Sequence, residues 1–126
     1  MTGGLCLDAG ALIGLERGDR RVVVLLDRAF AAGGSLEVPA PVLAQVWRGG
    51  ARQSRLARFL RASDVAIVDL DRDSALAVGV MCGMSGVADV VDGHVALHAR
   101  RRDLAVLTSD PDDIARLDPT LVVIEV

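Results

Sequence analysis

The sequence predicts an α/β fold in which helices cover both faces of a mainly parallel sheet. Short apolar runs alternate along the chain with segments whose apolar residues recur at helical spacing. Only a few residues connect one segment to the next, which favours parallel strands joined through helices. The run LAVLT at residues 104–108 is continuously apolar, as is typical of a strand that is buried on both faces.

The first half of the chain contains clear start and stop signals. Gly18 is expected to end the first helix, Asp19 to cap the second, and the pair Gly33-Gly34 to end the second. Proline in the first turn favours a third helix from Pro41. The predicted elements of this half are a strand at 4–8, helices at 9–17 and 20–32, a strand at 35–38, and helices at 41–48 and 51–62.

The second half continues the alternation. Asp71 is the expected cap of one helix. Asp89 and Asp92 fall within the next helix, and residues three apart lie on one helical face. The predicted elements of this half are a strand at 65–70, helices at 71–84 and 87–101, a strand at 104–108, a helix at 112–117 and a strand at 121–126.

Length and composition limit the class of protein. The 126 residues suffice for one domain with a full core, which we expect to span residues 1–126. Hydrophobic residues make up 52% of the chain, but no run is long enough for a membrane-spanning helix. The N-terminus lacks the basic segment of a signal peptide, so we expect a cytoplasmic protein with no membrane partner. Cys6 and Cys82 are then expected to be free thiols.

The charged residues exclude further classes. The net charge of −3 does not indicate a general polyanion binder. All 14 basic residues are Arg, so the chain has no lysine for a P-loop or a Schiff base. A phosphoacceptor receiver domain also carries acids at strand ends, but the missing lysine counts against it. Aromatic residues make up 2% of the chain, too few for a base-stacking platform.

Acidic residues follow two of the predicted strands. Asp8 ends the first strand, and Asp110 follows the strand at 104–108. The carboxyl ends of parallel strands meet at one edge of a sheet, so these acids meet if the two strands are neighbours. Asp89 and Asp92 then lean in from the preceding helix. The motifs contain no basic residue that would neutralise these carboxylates, and such a cluster requires a cation.

Each acid also has a purely structural interpretation. Asp8 fits the cap of the first helix, and Asp89 fits an ordinary acid at a helix N-terminus. Asp112 and Asp113 fit the cap and first turn of the helix that follows them. The acids at two strand ends favour a cation site, and Asp92 is a better candidate ligand than Asp89.

Four stretches carry a resemblance to a known family. They are LCLDAGALI at 5–13, VPAPVLAQV at 38–46, DVVDGHVAL at 89–97 and LTSDPDD at 107–113. In this order and spacing they resemble the motifs of PIN-domain proteins, and the chain resembles in size and layout the toxin of a VapBC-type toxin–antitoxin pair. The resemblance covers nearly the whole chain. It implies a three-layer α/β/α sandwich with a central, mainly parallel sheet.

The resemblance also implies an activity. It is a Mg²⁺- or Mn²⁺-dependent endoribonuclease activity on an RNA substrate, inhibited by a small cognate antitoxin, in a protein that is commonly a homodimer. Such cleavage needs hard oxygen ligands on a cation that activates water. Asp8, Asp92 and Asp110 are the expected catalytic residues and metal ligands. The expected additional residues are the metal-binding Asp89 and Asp112 and the hydroxyl-bearing Thr108 and Ser109.

One position departs from the family pattern. PIN ribonucleases usually carry a Glu in the helix after the second strand, where this chain has Gln45. An amide oxygen can still contact a cation, but the site loses one negative charge and its metal affinity should fall. Glu37 is near in sequence but lies on a strand, the wrong element to replace it. The alternative function is therefore a degenerate PIN domain that binds RNA or protein with little catalysis.

Two groups of basic residues need the same comparison. Arg48, Arg52 and Arg55 lie on or beside the helix at 51–62, where they either contact RNA phosphates or form an ordinary solvated surface. His94 and His98 have a spacing that can bind zinc, but no third ligand accompanies them. We therefore keep the arginines as candidate RNA contacts and do not expect a zinc site.

Overall fold

The computed structural model describes residues 3–126. Within them, five strands form one sheet in the order β3-β2-β1-β4-β5. Every pairing is parallel, so the predicted α/β fold with a parallel sheet is confirmed. The strands are β1 Leu5–Leu7, β2 Leu36–Pro39, β3 Val65–Val68, β4 Ala105–Thr108 and β5 Val123–Glu125.

The helices form the outer layers of a three-layer α/β/α sandwich. They are α1 Ala9–Arg17, α2 Arg20–Ala31, α3 Ala40–Val46, α4 Ser54–Leu60, α5 Arg72–Ser85, α6 Val90–Arg102 and α7 Pro111–Leu117. Helix α1 contacts α2, α3 and α4, whereas α5, α6 and α7 contact one another. Among residues 3–126, no single helix is both long and apolar enough to cross a bilayer.

The local signals act as the sequence predicts, with small shifts in the bounds. Gly18 ends α1 in the left-handed region at φ 72°, and the Asp19 carboxylate accepts hydrogen bonds at the start of α2. The predicted helix at 51–62 is the largest deviation. It divides into a turn of 3-10 helix, Ala51–Gln53, and the shorter α4.

Helix α6 begins later than the predicted bounds of 87–101. Asp89 is its N-cap and lies outside the helix, because its Oδ1 accepts from the backbone N–H groups of Val91 and Asp92 at 2.9 and 3.2 Å. The prediction that Asp89 and Asp92 are both helical residues on one face is therefore wrong. Asp89 instead satisfies backbone donors that would otherwise lack a partner.

The core lies around the two central strands. Cys6, Leu7, Val106 and Leu107 are fully buried, as expected for strands covered on both faces. Burial of each large apolar side chain contributes about 1.5–3 kcal/mol of transfer free energy. The two thiols are free, with Cys6 in this core and Cys82 half-buried on α5.

Helices α5 and α6 pack closely at Gly93. A Cβ at this position would lie 2.8 Å from both the Sγ of Cys82 and the Cγ1 of Val78. That separation is shorter than real Cβ contacts, so a side chain here would force the two helices apart. The absence of a side chain at Gly93 thus sets the distance between the helices beside Asp92.

One acid lies inside the sheet. Glu37 on β2 is buried, and its carboxylate lies 2.7 Å from the Nε2 of His98 and 3.4 Å from the guanidinium of Arg102, both on α6. The Ser35 hydroxyl donates to the same carboxylate at 2.6 Å. Burial alone would raise the pKa of Glu37, but the bonds to Ser35, His98 and Arg102 outweigh it and hold the pKa below the ordinary 4.5.

We expect Glu37→Gln to lower the free energy of unfolding by about 1–3 kcal/mol near pH 7, because it removes a buried, hydrogen-bonded charge. The pKa of Glu37 is lowered in the folded chain, so its contribution is present above pH 4.5 and is lost as the pH falls through the folded value. Urea unfolding of both chains at several pH values measures this. The difference should shrink below about pH 4.5.

The matched control is Glu125→Gln, because Glu125 is an exposed strand acid at the sheet edge. It should leave the free energy of unfolding within about 0.5 kcal/mol of the unsubstituted chain. Equal effects of the two substitutions would contradict a stabilising role for the Glu37 contacts.

Candidate metal centre

The pairing of β1 with β4 brings two acidic strand ends to one edge of the sheet. Leu7 is in register with Leu107, and the N–H of Asp8 donates to the Leu107 carbonyl at 3.0 Å. The Thr108 hydroxyl donates to Oδ2 of Asp8 at 2.7 Å and accepts from the backbone N–H of Asp110 at 2.9 Å. This buried hydroxyl therefore links the two acidic segments.

Asp8 has a structural role and also faces the other acids. Its Oδ1 accepts from the N–H of Ala9 at 2.7 Å, so it caps α1. The residue is only 4% exposed, and its charge acts on Asp92 and Asp110. The two interpretations of Asp8 are thus compatible, because each carboxylate oxygen retains a free lone pair after one hydrogen bond.

Three further carboxylates form a compact group in the described part of the chain. Oxygen atoms of Asp92, Asp110 and Asp113 all lie within 4.8 Å of one another. Asp92 comes from the first turn of α6 and is buried, whereas Asp110 and Asp113 come from the start of α7. The predicted Asp92 and Asp110 are therefore brought together, and the residue completing the group is Asp113.

The start of α7 explains why Asp113, and not the predicted Asp112, joins this group. The sequence prediction placed that start at residue 112, but Pro111 is the first helical residue and Asp110 the N-cap. Asp113 is then the third helical residue, and its carboxylate lies within 4.8 Å of those of Asp92 and Asp110, while Asp112 is exposed and outside the group. Pro111, directly after Asp110, is the sequence signal that indicates this helix start, because proline is favoured in the first turn of a helix.

The pKa values of these acids reflect how close the carboxylates lie to one another. The pKa of Asp92 is raised to about 7, first by burial and then by the charges of Asp8, Asp89, Asp110 and Asp113. Burial first, and the neighbouring acids second, therefore favour the protonated form of Asp92.

Asp110 responds in the same direction. Burial raises the pKa of Asp110, and the charge of Asp113 and a hydrogen bond with it raise that pKa further. Within residues 3–126 the group forms one ion pair, in which Nη1 of Arg116 lies 3.9 Å from Oδ1 of Asp113 on the same helix. A single, loosely placed guanidinium leaves most of the negative charge uncompensated.

The donor set fits a hard divalent cation. Mg²⁺ and Mn²⁺ bind through carboxylate oxygens, and Mg²⁺ needs only one or two direct carboxylates because it keeps several waters. The side chain of Asp110 makes no capping hydrogen bond, although the residue stands at the N-cap position of α7. Its carboxylate is bonded only to that of Asp113, and a cation held between the two would replace the shared proton.

The other predicted residues have different environments. Asp89 is the exposed cap of α6 and lies outside the group of three, although its charge raises the pKa of Asp92. Ser109 is exposed and packs against Gly10, where a Cβ would collide with its side chain. Gln45 is exposed on α3.

The histidines and the arginines are not part of the group. His98 pairs with Glu37, and His94 is buried with an Nδ1 that has no partner among the described residues. The candidate RNA contacts, which lie on or beside α4, are Arg48, Arg52 and Arg55.

Comparison with known proteins gives one family match. The family model described as PIN domain matches residues 5–118. No curated protein matches the chain in sequence.

Three solved structures share the fold. VapBC2 from Rickettsia felis, bound to a DNA fragment from its promoter, has a TM-score of 0.74 and 17% identity over 96% of this chain and 97% of that one. FitAcB from Neisseria gonorrhoeae has a TM-score of 0.67 and 20% identity over 96% of both chains. FitAB bound to the IR36 DNA fragment has a TM-score of 0.68 and 18% identity, covering 96% of this chain and 94% of that one.

Without divalent cations, we expect the free energy of unfolding to fall as the pH rises from about 4 to about 7. The pKa of Asp92 is about 7 when folded against an ordinary 3.8, so the folded chain keeps a proton in this interval that the unfolded chain has released. Asp92→Asn should remove most of this dependence and raise the Tm in EDTA at about pH 8. Thermal unfolding followed by circular dichroism measures both.

Asp112→Asn is the matched control, because Asp112 is exposed and outside the group of three. Asp112→Asn should keep the pH profile of the unsubstituted chain. Mn²⁺ should raise the Tm of Asp112→Asn and of the unsubstituted chain. Mn²⁺ should have a much smaller effect on Asp92→Asn. An identical pH profile for Asp92→Asn and the unsubstituted chain would contradict the assignment.

Proposed function

Because the chain belongs to the PIN-domain family, we propose that it is a metal-dependent endoribonuclease and the toxin of a toxin–antitoxin pair. It acts as a single domain over residues 1–126, in the cytoplasm. The observation that carries the proposal is the group of Asp92, Asp110 and Asp113, beside Asp8, at the carboxyl edge of the sheet. This is where open α/β sheets bind their ligands.

The proposed cofactor is Mg²⁺ or Mn²⁺. Asp8, Asp92 and Asp110 would hold it, with Asp113 as the further carboxylate and Asp89 contributing charge. An ion held there would polarise the scissile phosphate and lower the pKa of the attacking water. No serine, cysteine or histidine nucleophile is then required.

The chain's own residues prepare the site for this chemistry. The Thr108 hydroxyl fixes the orientation of Asp8 through its 2.7 Å hydrogen bond and fixes the backbone at Asp110. Asp92 carries a proton on a fraction of molecules near neutral pH, because its pKa is about 7. Binding of a cation must displace that proton, so affinity should rise with pH through this range.

The proposed partners are a small antitoxin and a second copy of the chain. The structural neighbours are toxin–antitoxin complexes, and this supports an antitoxin for the present chain. Helix α5 supports a homodimer because Leu76, Val80 and Met84 are 59%, 63% and 86% exposed along one side of it. Exposed apolar rows of this kind are typical of interaction surfaces.

A second function is favoured by one residue. Gln45 stands where PIN ribonucleases usually carry a Glu, and a site with one fewer carboxylate binds divalent cations less tightly. In this alternative the chain binds RNA or protein with little catalysis.

Cleavage of a structured RNA pool by purified protein, free of antitoxin, tests the proposal. We expect cutting with Mg²⁺ or Mn²⁺ and none in EDTA. Asp8→Asn and Asp92→Asn should each lower the rate by more than about 100-fold, because residues that merely orient metal ligands already cost 10–100-fold. Absence of cutting with any metal, from a folded sample, would favour the binding function.

Two adjacent acids provide the matched pair in this assay. Asp113→Asn should lower the rate by at least about 10-fold, since Asp113 lies in the group of three. Asp112→Asn should leave the rate within about 2-fold, since Asp112 is exposed outside it.

A separate prediction concerns Gln45. We expect Gln45→Glu to tighten Mn²⁺ binding and to raise the cleavage rate at limiting metal, because it adds a negative charge at the position where PIN ribonucleases usually carry a Glu. Calorimetric titration with Mn²⁺ measures the affinity. Unchanged affinity would place Gln45 outside the metal site and remove the argument for the degenerate alternative.

A further inference from the structure

A second surface, apolar at its centre and bordered by arginines, lies at the end of α3. Trp47 is the C-cap of this helix and is 40% exposed. Together with Leu43, Ala57, Leu60 and Arg61 it lines an open pocket of about 360 Å³. The lining of the pocket combines three apolar side chains with one indole and one guanidinium. We call Trp47, Arg48 and Arg61 the Trp47 surface.

The arginines on or beside α4 form no ion pair with an acidic side chain of the described residues. Within residues 3–126, no carboxylate forms an ion pair with an arginine between residues 48 and 61. These arginines are Arg48, Arg52, Arg55, Arg58 and Arg61. All five are exposed in a chain whose net charge is −3. The Arg55 guanidinium is directed to the Glu16 carbonyl on α1, so the two that adjoin Trp47 are Arg48 and Arg61. A local cationic surface in an acidic chain indicates an anionic ligand.

The segment that carries the indole is fixed in place before any ligand binds. Gln53 is buried, and its Oε1 accepts from the N–H groups of Arg48 and Gly49 at 2.8 and 2.9 Å. Its Nε2 donates to the Val46 carbonyl at 2.9 Å. The Arg48 guanidinium donates to the carbonyl of Trp47 at 2.7 Å. Such preorganisation reduces the entropy lost on binding.

We infer that the Trp47 surface binds an unpaired nucleotide of the RNA strand that this chain cleaves, with the base stacked on the indole and the phosphates against Arg48 and Arg61. The inference rests on the proposed function for the identity of the strand as substrate. The chemical class of the ligand is inferred from the surface itself, because an exposed aromatic ring next to guanidinium groups matches a ligand with aromatic faces and a phosphate backbone.

Two competing ligands fit less well. In a duplex the base faces are covered by their neighbours, so they cannot stack on a side chain. A second copy of the chain in a two-fold dimer would place this patch against itself, and its arginines would face like charges. The single ring can hold one base, in keeping with an aromatic content too low for a longer platform.

The composition provides a direct probe. Trp47 is the one tryptophan of the chain, and there is no tyrosine, so the intrinsic fluorescence reports this surface alone. We expect a short oligouridylate, added in EDTA to prevent cleavage, to quench the fluorescence to saturation. A duplex RNA of equal length should bind more weakly and cause little quenching.

Variants separate stacking from general charge. With a labelled oligouridylate, Trp47→Leu should weaken binding by roughly 5- to 100-fold, and Trp47→Phe should retain most of it. Phe30→Leu is the matched control, because Phe30 is an aromatic residue that is 53% exposed elsewhere, on α2. It should bind like the unsubstituted chain.

Salt dependence tests the arginines. Arg48→Gln and Arg61→Gln should each reduce the slope of log affinity against log salt by about 0.7. Arg72→Gln, at an exposed arginine on α5, should not change the slope.

The outcomes distinguish this inference from the proposed function. Cleavage with an unchanged KM in Trp47→Leu would overturn the inference and leave the nuclease intact. RNA binding that depends on Trp47 without cleavage would support the surface and contradict the nuclease. If Trp47→Leu dissociates a dimer in sedimentation while RNA binding is unchanged, the surface is an interface between copies and the inference is wrong.

Discussion

The pairing of β1 with β4 is the interaction on which the rest of the site depends. It places Asp8 beside Thr108 and sets the distance from Asp8 to Asp110, two residues further along. The carboxylates repel one another, so apolar packing has to hold them at this edge. The fully buried Leu7 and Leu107 provide it within the strands themselves.

Two buried acids, Glu37 and Asp92, have opposite surroundings. Glu37 is surrounded by donors, and its pKa is lowered. Asp92 is surrounded by other acids, and its pKa is raised to about 7. The first arrangement stabilises the folded chain by itself, whereas the second costs free energy until a cation or a proton compensates it. Burial alone therefore does not distinguish Glu37 from Asp92, since both residues are nearly inaccessible to solvent and differ in the groups that surround them.

Much of the fold could be predicted from the sequence because its signals are local. Alternating apolar and amphipathic segments, with glycine and aspartate at their ends, define the strands and helices. Asp8 and Asp110 follow from the rule that ligands bind where parallel strands end, and Asp92 from its place on the helix that precedes the second of these strands. The sequence does not show whether Asp112 or Asp113 lies beside Asp92 and Asp110, because this depends on the first residue of α7, and a shift of one position rotates a side chain by about 100°. The helical position assigned to Asp89 failed for a similar reason.

Some features cannot be predicted from local patterns. The Glu37 contacts join residues far apart in the chain, and the role of Gln53 depends on how a loop folds back onto it. No periodicity in the sequence encodes such pairs. They emerge only after the layers have packed.

Gly93 shows how a sequence motif can mislead. It follows Asp92 directly and would belong to any acidic signature drawn from this segment. Its lack of a side chain, however, is required by Cys82 and Val78 on the neighbouring helix. Selection at this position would act on volume, jointly with two residues of α5, while selection at Asp92 would act on charge. A sequence motif drawn from this region therefore reflects two independent constraints, charge at Asp92 and volume at Gly93. A chain that had lost its acids could still keep the glycine.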